Sequence, residues 1–266
     1  MNNLRKYGDE PFEIAVIHGG PGADGEMKPV AEELSKNFGI LEPLQTAISV
    51  EGQVQELKLV LEQNGDLPVI LIGYSWGAWL TYILTTKYPE LVKKLILVGS
   101  GPFEAKYTEH MMVTRLNRLN DHEKQEAQFL LKELNEHKSD NQDLLEKFGK
   151  LISKADSYKS TPNSDVKVEV QQNIYQGVWP EASELRKSGE LLKIGEKIKC
   201  PVVAIHGDYD PHPAKGVQEP LSGVIKDFRF ILLKNCGHKP WIEQEAEDEF
   251  YRILKKEIAA EEQNHL

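Results

Sequence analysis

The stretch VILIGYSWG, residues 69–77, decides the fold. The apolar run over 69–72 predicts a buried strand, and a helical pattern follows from Trp76 to Lys87. Between them, residues 73–77 form a G-x-S-x-G motif, whose glycines let a strand and a helix meet closely. Such a turn lifts the hydroxyl of Ser75 clear of the backbone and points N–H groups of the first helical turn toward it. The motif predicts a serine nucleophile, the alternative being a chance match in an ordinary α/β crossover.

Strand and helix patterns alternate along most of the remaining chain. The other apolar runs that predict strands are Glu13–Ile17, Leu95–Val98, Val202–Ile205 and Phe228–Leu232. Helices are predicted at Met27–Asn37, Val54–Gln63 and Trp241–Ile258. Near-continuous apolar strands separated by helices are typical of a mostly parallel sheet covered by helices on both faces. The predicted fold class is therefore α/β.

The alternation is interrupted once, over residues 101–194. This segment has no convincing apolar strand, but Glu123–Glu136 and Gln142–Ser153 carry Leu and Phe at helical intervals. We therefore expect a core built from residues 1–100 and 195–266, with residues 101–194 inserted as a helical cap.

Composition excludes several classes of protein. The 266 residues carry 32 basic and 42 acidic side chains, a formal charge of −10, which disfavours nucleic acid and anionic membranes as partners. No apolar run approaches the roughly 18 residues of a membrane span, and residues 1–10 lack the apolar core of a signal peptide. Two cysteines, Cys200 and Cys236, form neither a disulfide framework nor a metal set. We expect a cytoplasmic protein, with monomer and homodimer both open.

A second motif, HGGPG at residues 18–22, directly follows the first predicted strand. An enzyme that transfers acyl groups must stabilise an oxyanion, and it does so with backbone N–H groups fixed in advance. The N–H groups of Gly20 and of Trp76 are the candidate donors. A purely structural turn is the alternative. A phosphate loop is disfavoured because the motif lacks both G-x-G-x-x-G and a P-loop lysine.

A serine nucleophile needs a histidine base held by a carboxylate. His238 lies just after the strand Phe228–Leu232, and Asp210 lies just after the strand Val202–Ile205. Both would then share with Ser75 the edge of the sheet where ligands bind in open α/β folds. Asp208 is the rival acid.

A metal site is a further possibility, because His206, Asp208, Asp210 and His212 lie close together in sequence. Alternate residues at a strand end point to opposite sides, however, and the serine arrangement already accounts for Asp210. We predict neither a metal nor an organic cofactor.

The motifs HGGPG and GYSWG, with Asp210 and His238 following in that order, resemble the proline iminopeptidase branch of the α/β-hydrolase fold, whose motifs are HGGPG and GGSWG. The resemblance spans essentially the whole chain. It implies a triad of Ser75, Asp210 and His238, oxyanion donors at Gly20 and Trp76, and a cap over the site.

This sequence departs from that branch in three ways. Only about a dozen residues precede the HGGPG strand, so the sheet is expected to lack about two strands. Tyr74 replaces a glycine and crowds the nucleophile. Aminopeptidase activity also needs cap carboxylates for the substrate amine, and Glu181 and Glu184 are candidates among several. Tyr74, Trp179 and Glu181 are the predicted substrate contacts.

The expected function is hydrolysis of a small ester or short peptide through an acyl-enzyme intermediate. Esterase-like and aminopeptidase-like activities both remain open, because the fold provides the machinery and the cap shapes the pocket. The alternatives are a small-molecule sensor with slow turnover, and a carbon–carbon bond hydrolase or lyase that uses the same serine and histidine.

Overall fold

The computed structural model describes residues 3–136, 142–162 and 171–262. The strands of the described chain are β1 Leu4–Tyr7, β2 Ile14–Ile17, β3 Ile40–Pro43, β4 Val69–Tyr74, β5 Val92–Val98, β6 Val202–Gly207 and β7 Phe228–Leu233. Its α-helices are α1 Lys28–Leu34, α2 Val50–Asn64, α3 Trp76–Lys87, α4 Met111–Asn117, α5 Asp121–Glu136, α6 Gln142–Asp156, α7 Gln172–Lys187, α8 Glu190–Lys193, α9 Lys215–Val224 and α10 Glu247–Glu262. None of the described helices has an apolar stretch long enough to cross a membrane.

The described strands form one sheet in the order β1-β3-β2-β4-β5-β6-β7. All neighbours run parallel except β1, which pairs antiparallel with β3 at the edge. The predicted, mostly parallel sheet is therefore present. A strand does precede β2, although no strand was assigned there from the sequence.

The alternation of side chains along β4 creates two apolar layers. Val69 and Leu71 face one layer, which also contains buried residues of α2, α3, α7 and α9. Ile70, Ile72 and Tyr74 face the other layer, with buried residues of α1 and α10. Both faces of the central strand are thus covered, which accounts for its unbroken apolar run.

Helices α4 to α8 lie between β5 and β6, where the cap is predicted. The first three form a small core of their own around Leu119, Ala127 and Ala155. By contrast, α7 buries Ile174, Val178 and Ala182 against the main core. The segment therefore has one part with its own core and one part that packs onto the sheet layers.

The C-terminal helix begins later than predicted. Trp241 lies in a short 3-10 turn, Pro240–Ile242, and α10 starts at Glu247. Three acidic residues, Glu247, Asp248 and Glu249, fill its first turn, where negative charge stabilises a helix dipole.

Candidate active site

Ser75 occupies the turn between β4 and α3 with φ 51° and ψ −111°, a conformation that residues with a side chain rarely adopt. A Cβ on Gly73 would overlap the carbonyl oxygen of Gly77, and a Cβ on Gly77 would overlap that of Ile17 in β2. The N–H of Ser75 donates to the carbonyl oxygen of Val98 in β5, at 3.0 Å. The turn is therefore held by backbone contacts with the strands on both sides of β4.

The ring of His238 joins Ser75 to Asp210. Nε2 of His238 lies 3.2 Å from Oγ of Ser75, and Nδ1 lies 2.7 Å from Oδ2 of Asp210. The three residues follow β4, β6 and β7, so their side chains meet at the carboxyl ends of parallel strands. In this geometry His238 can take the hydroxyl proton while Asp210 holds its other nitrogen.

The surrounding charges suit that chemistry. Burial by itself raises the pKa of Asp210, but the imidazoles of His238, His212 and His206 outweigh it and hold the pKa well below its usual range. Burial lowers the pKa of His238, but the Asp210 carboxylate reverses this and raises the pKa above its ordinary 6.5. The site thus pairs an ionised acid with a histidine that is a stronger base than usual.

The rival acid, Asp208, lies outside this hydrogen-bonded chain. Its Oδ1 accepts from the N–H of Cys236 at 3.4 Å, and its Oδ2 lies 3.5 Å from Nζ of Lys234. Asp210 is the carboxylate that contacts His238.

Asp210, His212 and His238 also form a group of possible metal ligands, with ligand atoms within 4.8 Å of one another. Nδ1 of each histidine is hydrogen-bonded to Asp210. A cation bound through these atoms would displace the hydrogen bonds that connect Asp210 to His238, so it would compete with the serine arrangement.

The turn after β2 adjoins the turn that carries Ser75. Gly20 has φ 35°, and its carbonyl oxygen accepts from the N–H of Ala23 at 2.9 Å. As the first residue of α3, Trp76 has a backbone N–H with no acceptor inside the helix. The close contact of Gly77 with Ile17 and His18 brings the two turns together. This proximity is what a shared oxyanion site at Gly20 and Trp76 requires.

Two of the predicted substrate contacts lie in aromatic surroundings. Trp179 of α7 stacks between Tyr175 and Trp79, with ring centroids 6.0 and 6.1 Å apart. Tyr74 is only 1% exposed and packs against Trp241 and His238, with centroids 4.7 and 5.0 Å apart. The Tyr74 ring therefore lies on the α10 side of the sheet against the imidazole, and its role as a substrate contact stays a prediction.

The third predicted contact, Glu181, has a partner within the protein. Its Oε2 accepts the N–H of Val50, at the N-terminus of α2, at 2.8 Å. The role of Glu181 as a substrate contact stays a prediction, since this bond occupies only one of its two carboxylate oxygens. Sequence reasoning missed the bond because Val50 lies 131 positions away.

A buried carboxylate that the sequence did not single out holds the loop of His238. Glu243 is fully buried, and its two oxygens accept the N–H groups of Tyr158, Lys159 and Gly237 at 2.9, 2.7 and 3.0 Å. The loop after α6 is thereby tied to the loop that carries His238. No local pattern distinguishes Glu243 from the exposed Glu245 two positions later.

Asp156, at the end of α6, adds a second link between the same loops. Its carbonyl oxygen accepts the N–H of His238 at 2.9 Å. Its carboxylate receives two hydrogen bonds from the guanidinium of Arg115 in α4, at 2.7 and 2.8 Å. The position of the histidine therefore depends on residues between β5 and β6 as well as on the sheet.

Comparisons with known proteins agree with this architecture. A family model described as "alpha/beta hydrolase fold" matches residues 21–245. A proline iminopeptidase from Lactobacillus delbrueckii subsp. bulgaricus is 32% identical over 101 residues, covering 32% of this chain. The alignment spans 34% of that protein, so this chain matches about a third of its length.

Solved structures match over nearly the whole chain. VinJ superposes with a TM-score of 0.73 at 18% identity, covering 97% of this chain and 94% of VinJ. Est816, described as an N-acyl homoserine lactone degrading enzyme, superposes with a TM-score of 0.64 at 13% identity, covering 95% of each chain. At such identities the likeness concerns the fold alone. The predicted fold class is confirmed, as is the resemblance to proline iminopeptidases at modest identity.

Proposed function

Because the chain belongs to the alpha/beta hydrolase fold family, we propose that it is a serine hydrolase that cleaves a small ester or amide through an acyl-enzyme intermediate. The observation that carries the proposal is the hydrogen-bonded chain from Ser75 Oγ through His238 to Asp210. A serine held in a strained turn, with a base and a buried acid in line, is the arrangement that acyl transfer needs.

The proposed reaction runs in two halves. Oγ of Ser75 attacks the substrate carbonyl carbon while Nε2 of His238 takes its proton, and the N–H groups of Gly20 and Trp76 bind the oxyanion. The carbon–leaving-group bond then breaks, and the leaving group takes the proton from His238. Water repeats the attack with His238 again as base, which releases the acid and restores Ser75. Asp210 stays ionised and stabilises the imidazolium.

The surroundings of the acidic side chains favour an ester over a free-amine substrate. Glu181 accepts a backbone N–H, and Asp156 pairs with Arg115. Near the turn after β2, Oε1 of Glu26 forms an ion pair with Nζ of Lys239, at 2.7 Å. Because these carboxylates already have partners, we propose esterase-like activity as the first candidate and aminopeptidase-like activity as the second.

The test is turnover of p-nitrophenyl acetate, p-nitrophenyl octanoate and the prolyl and alanyl p-nitroanilides by four proteins: the wild type, Ser75→Ala, Asp210→Asn and Asp208→Asn. We expect Ser75→Ala to fall to background. Asp210→Asn should lose on the order of 10⁴-fold in kcat, because the amide stabilises the wrong tautomer of the base. Asp208→Asn is the matched control and should stay close to the wild type.

Each other outcome has a distinct meaning. Ester cleavage that persists in Ser75→Ala would contradict the proposal. Cleavage of arylamides alone would favour the aminopeptidase candidate. Turnover of all four substrates no faster than in Ser75→Ala would contradict the proposal, and tight ligand binding would then favour a sensor. The carbon–carbon bond hydrolase or lyase is tested separately, with a substrate that has a cleavable carbon–carbon bond.

A further inference from the structure

Asp210 is bound by a second histidine, on the oxygen that faces away from His238. Oδ1 of Asp210 accepts the backbone N–H of His212 at 2.9 Å and lies 2.8 Å from Nδ1 of the same residue. Oδ2 lies 2.7 Å from Nδ1 of His238. The two imidazole rings are 4.5 Å apart, tilted by 32°. One carboxylate therefore has an imidazole on each oxygen.

The acceptors in this cluster determine where the protons lie. An ionised carboxylate can only accept, so Nδ1 of His212 and Nδ1 of His238 must both carry hydrogen. In the neutral ring of His238, the lone pair is then on Nε2, the nitrogen that faces Ser75. The backbone around His212 is fixed as well, since its carbonyl oxygen lies 2.8 Å from Nε2 of His206, which donates to it.

The two rings differ in pKa although they share one acid. Burial lowers the pKa of His212 to about 4, in spite of the opposing pull of Asp210. The charged groups that face it are Asp210, His238 on the loop after β7, and Arg115 on α4. The same carboxylate raises the pKa of His238, so His238 and not His212 is the ring whose protonation Asp210 favours. His212 remains neutral at pH 7 and acts only as a donor.

We propose that His212 is a positioning residue for the triad: its imidazole donates Nδ1–H to Oδ1 of Asp210 and fixes the carboxylate plane, so that Oδ2 meets Nδ1 of His238. The inference rests on the proposed function, because it matters only if His238 is the base. Without this donor, Oδ1 would keep only the backbone N–H of His212, so the carboxylate would be held less firmly and a buried oxygen would be short of one hydrogen bond.

Two variants separate hydrogen bonding from ring packing. His212→Phe keeps a planar ring but loses the donor, whereas His212→Asn places an amide nitrogen the same number of bonds from Cβ as Nδ1. With p-nitrophenyl acetate, we expect His212→Phe to lose roughly tenfold or more in kcat with little change in KM, the order for one hydrogen bond to a charged group. The acid limb of its kcat/KM profile should move to higher pH. With one hydrogen bond fewer, the Asp210 carboxylate stabilises protonated His238 more strongly and raises the pKa of that ring. His212→Asn should recover most of the rate and the original limb.

Three outcomes would overturn the inference. The first is an unchanged kcat in His212→Phe. The second is a lower kcat with the acid limb in place, which a purely structural role would produce. The third is an equal loss in both variants. If Ser75→Ala is inactive and any of these occurs, the inference fails while the proposed function stands. If Ser75→Ala keeps its activity, the proposed function itself fails.

A measurement on the wild type avoids the risk that a variant misfolds. Imidazole ¹⁵N chemical shifts distinguish the two neutral tautomers from the charged form, and through-bond correlation to the backbone assigns the His212 ring in the wild type. We expect a neutral ring with hydrogen on Nδ1 from about pH 5.5 to 8. An Nε2–H tautomer, or a charged ring at pH 6, would contradict the inference.

Discussion

The side chains of His238 and Asp210 are each restrained by further groups that do not contact Ser75. The imidazole of His238 has Asp210 on Nδ1 and the ring of Tyr74 against its face. The Asp210 carboxylate is in turn held by His212. Rate in an acyl-transfer site depends on such restraint, because reacting atoms that are held in place need no further ordering in the transition state.

The raised pKa of His238 leads to a prediction about pH. The base must be unprotonated to take the Ser75 proton, so kcat/KM should fall as the pH drops through a value above 6.5. Asp210, whose pKa is well below its usual range, should add no second inflection above about pH 4. The measurement is the rate of p-nitrophenyl acetate hydrolysis from about pH 5 to 9.

Asp210→Asn is the control for that profile. The amide removes the charge that stabilises the imidazolium, and burial alone lowers the pKa of a histidine. The acid limb of the residual activity should therefore move to lower pH. A wild-type limb at or below 6.5 would contradict the assignment.

The sequence was sufficient to predict which residues meet at the site, but not what holds them. Ser75, Asp210 and His238 could be predicted because each follows an apolar run, and parallel strands end at one edge. The bonds of His212 and Glu181 could not be predicted, because hydrogen-bond partners depend on side-chain directions that no periodicity encodes. Tyr74 lies on the α10 side of β4 because its position alternates with Gly73, a consequence of strand pleating that the motif alone does not reveal.

At the scale of elements, two short loops hold His238, the proposed base, in place. The loop after β7 bears His238, and the loop after α6 lies beside it, joined to it by the Glu243 carboxylate. Neither loop belongs to the sheet; besides an isolated antiparallel bridge between Ser160 and Glu243, three hydrogen bonds to the buried Glu243 carboxylate hold the loops together. A carboxylate that accepts three N–H groups is stabilising only while all three remain in place.

Glu243→Gln tests this link. An amide retains one acceptor oxygen, but its NH₂ group faces an N–H that then has no acceptor. We expect a loss of about 1.5–3 kcal/mol in the free energy of unfolding, with faster hydrogen exchange at Tyr158, Lys159 and Gly237. The exposed Glu245→Gln should change stability by less than about 0.5 kcal/mol. Equal effects from the two substitutions would contradict the proposed link.

The elements themselves were predicted unevenly, for a physical reason. Helix α3 has the predicted limits, because its apolar pattern is local and so is its end, where Pro89, a residue that cannot continue a helix, follows directly. Strand β3 was missed because its sequence, ILEP, contains the buried Glu42 and ends in Pro43, so no continuous apolar run marks it. Strand β1 is half exposed and carries Arg5 and Lys6, so it lacks an apolar run. Both missed strands depend on pairing with distant residues.

At the scale of the whole molecule, α7 joins the segment between β5 and β6 to the rest of the protein. A Cβ on Gly177 would overlap the carbonyl oxygen of Ile48, so the helix lies directly on the backbone before α2. At the start of α7, the N–H of Gln171 donates to the carbonyl oxygen of Gly22 at 2.9 Å. The turn that includes Gly20 is therefore in direct contact with the predicted cap.

Glu181 of α7 also contacts this region, through its hydrogen bond to the N–H of Val50 in α2. The variant Glu181→Ala tests whether that bond stabilises the fold. We expect the free energy of unfolding to fall by about 0.5–1 kcal/mol, because a carboxylate leaves the N-terminus of α2. The KM values for p-nitrophenyl acetate and alanyl p-nitroanilide should then change by the same factor. Glu184→Ala, one helical turn away, is the control. A rise in KM for alanyl p-nitroanilide alone would instead support Glu181 as an amine-binding residue.

The strained turn at Ser75 also bears on how such a chain evolves. Backbone strain of this kind costs on the order of 1–3 kcal/mol, and glycine would relieve it, since glycine adopts positive φ without a steric penalty. A lineage in which the hydroxyl no longer served a purpose could gain stability by a single substitution at this position. Natural selection would then have no reason to keep the serine. An otherwise intact relative with glycine at this position would be a candidate for a fold that has been retained after its chemistry was abandoned.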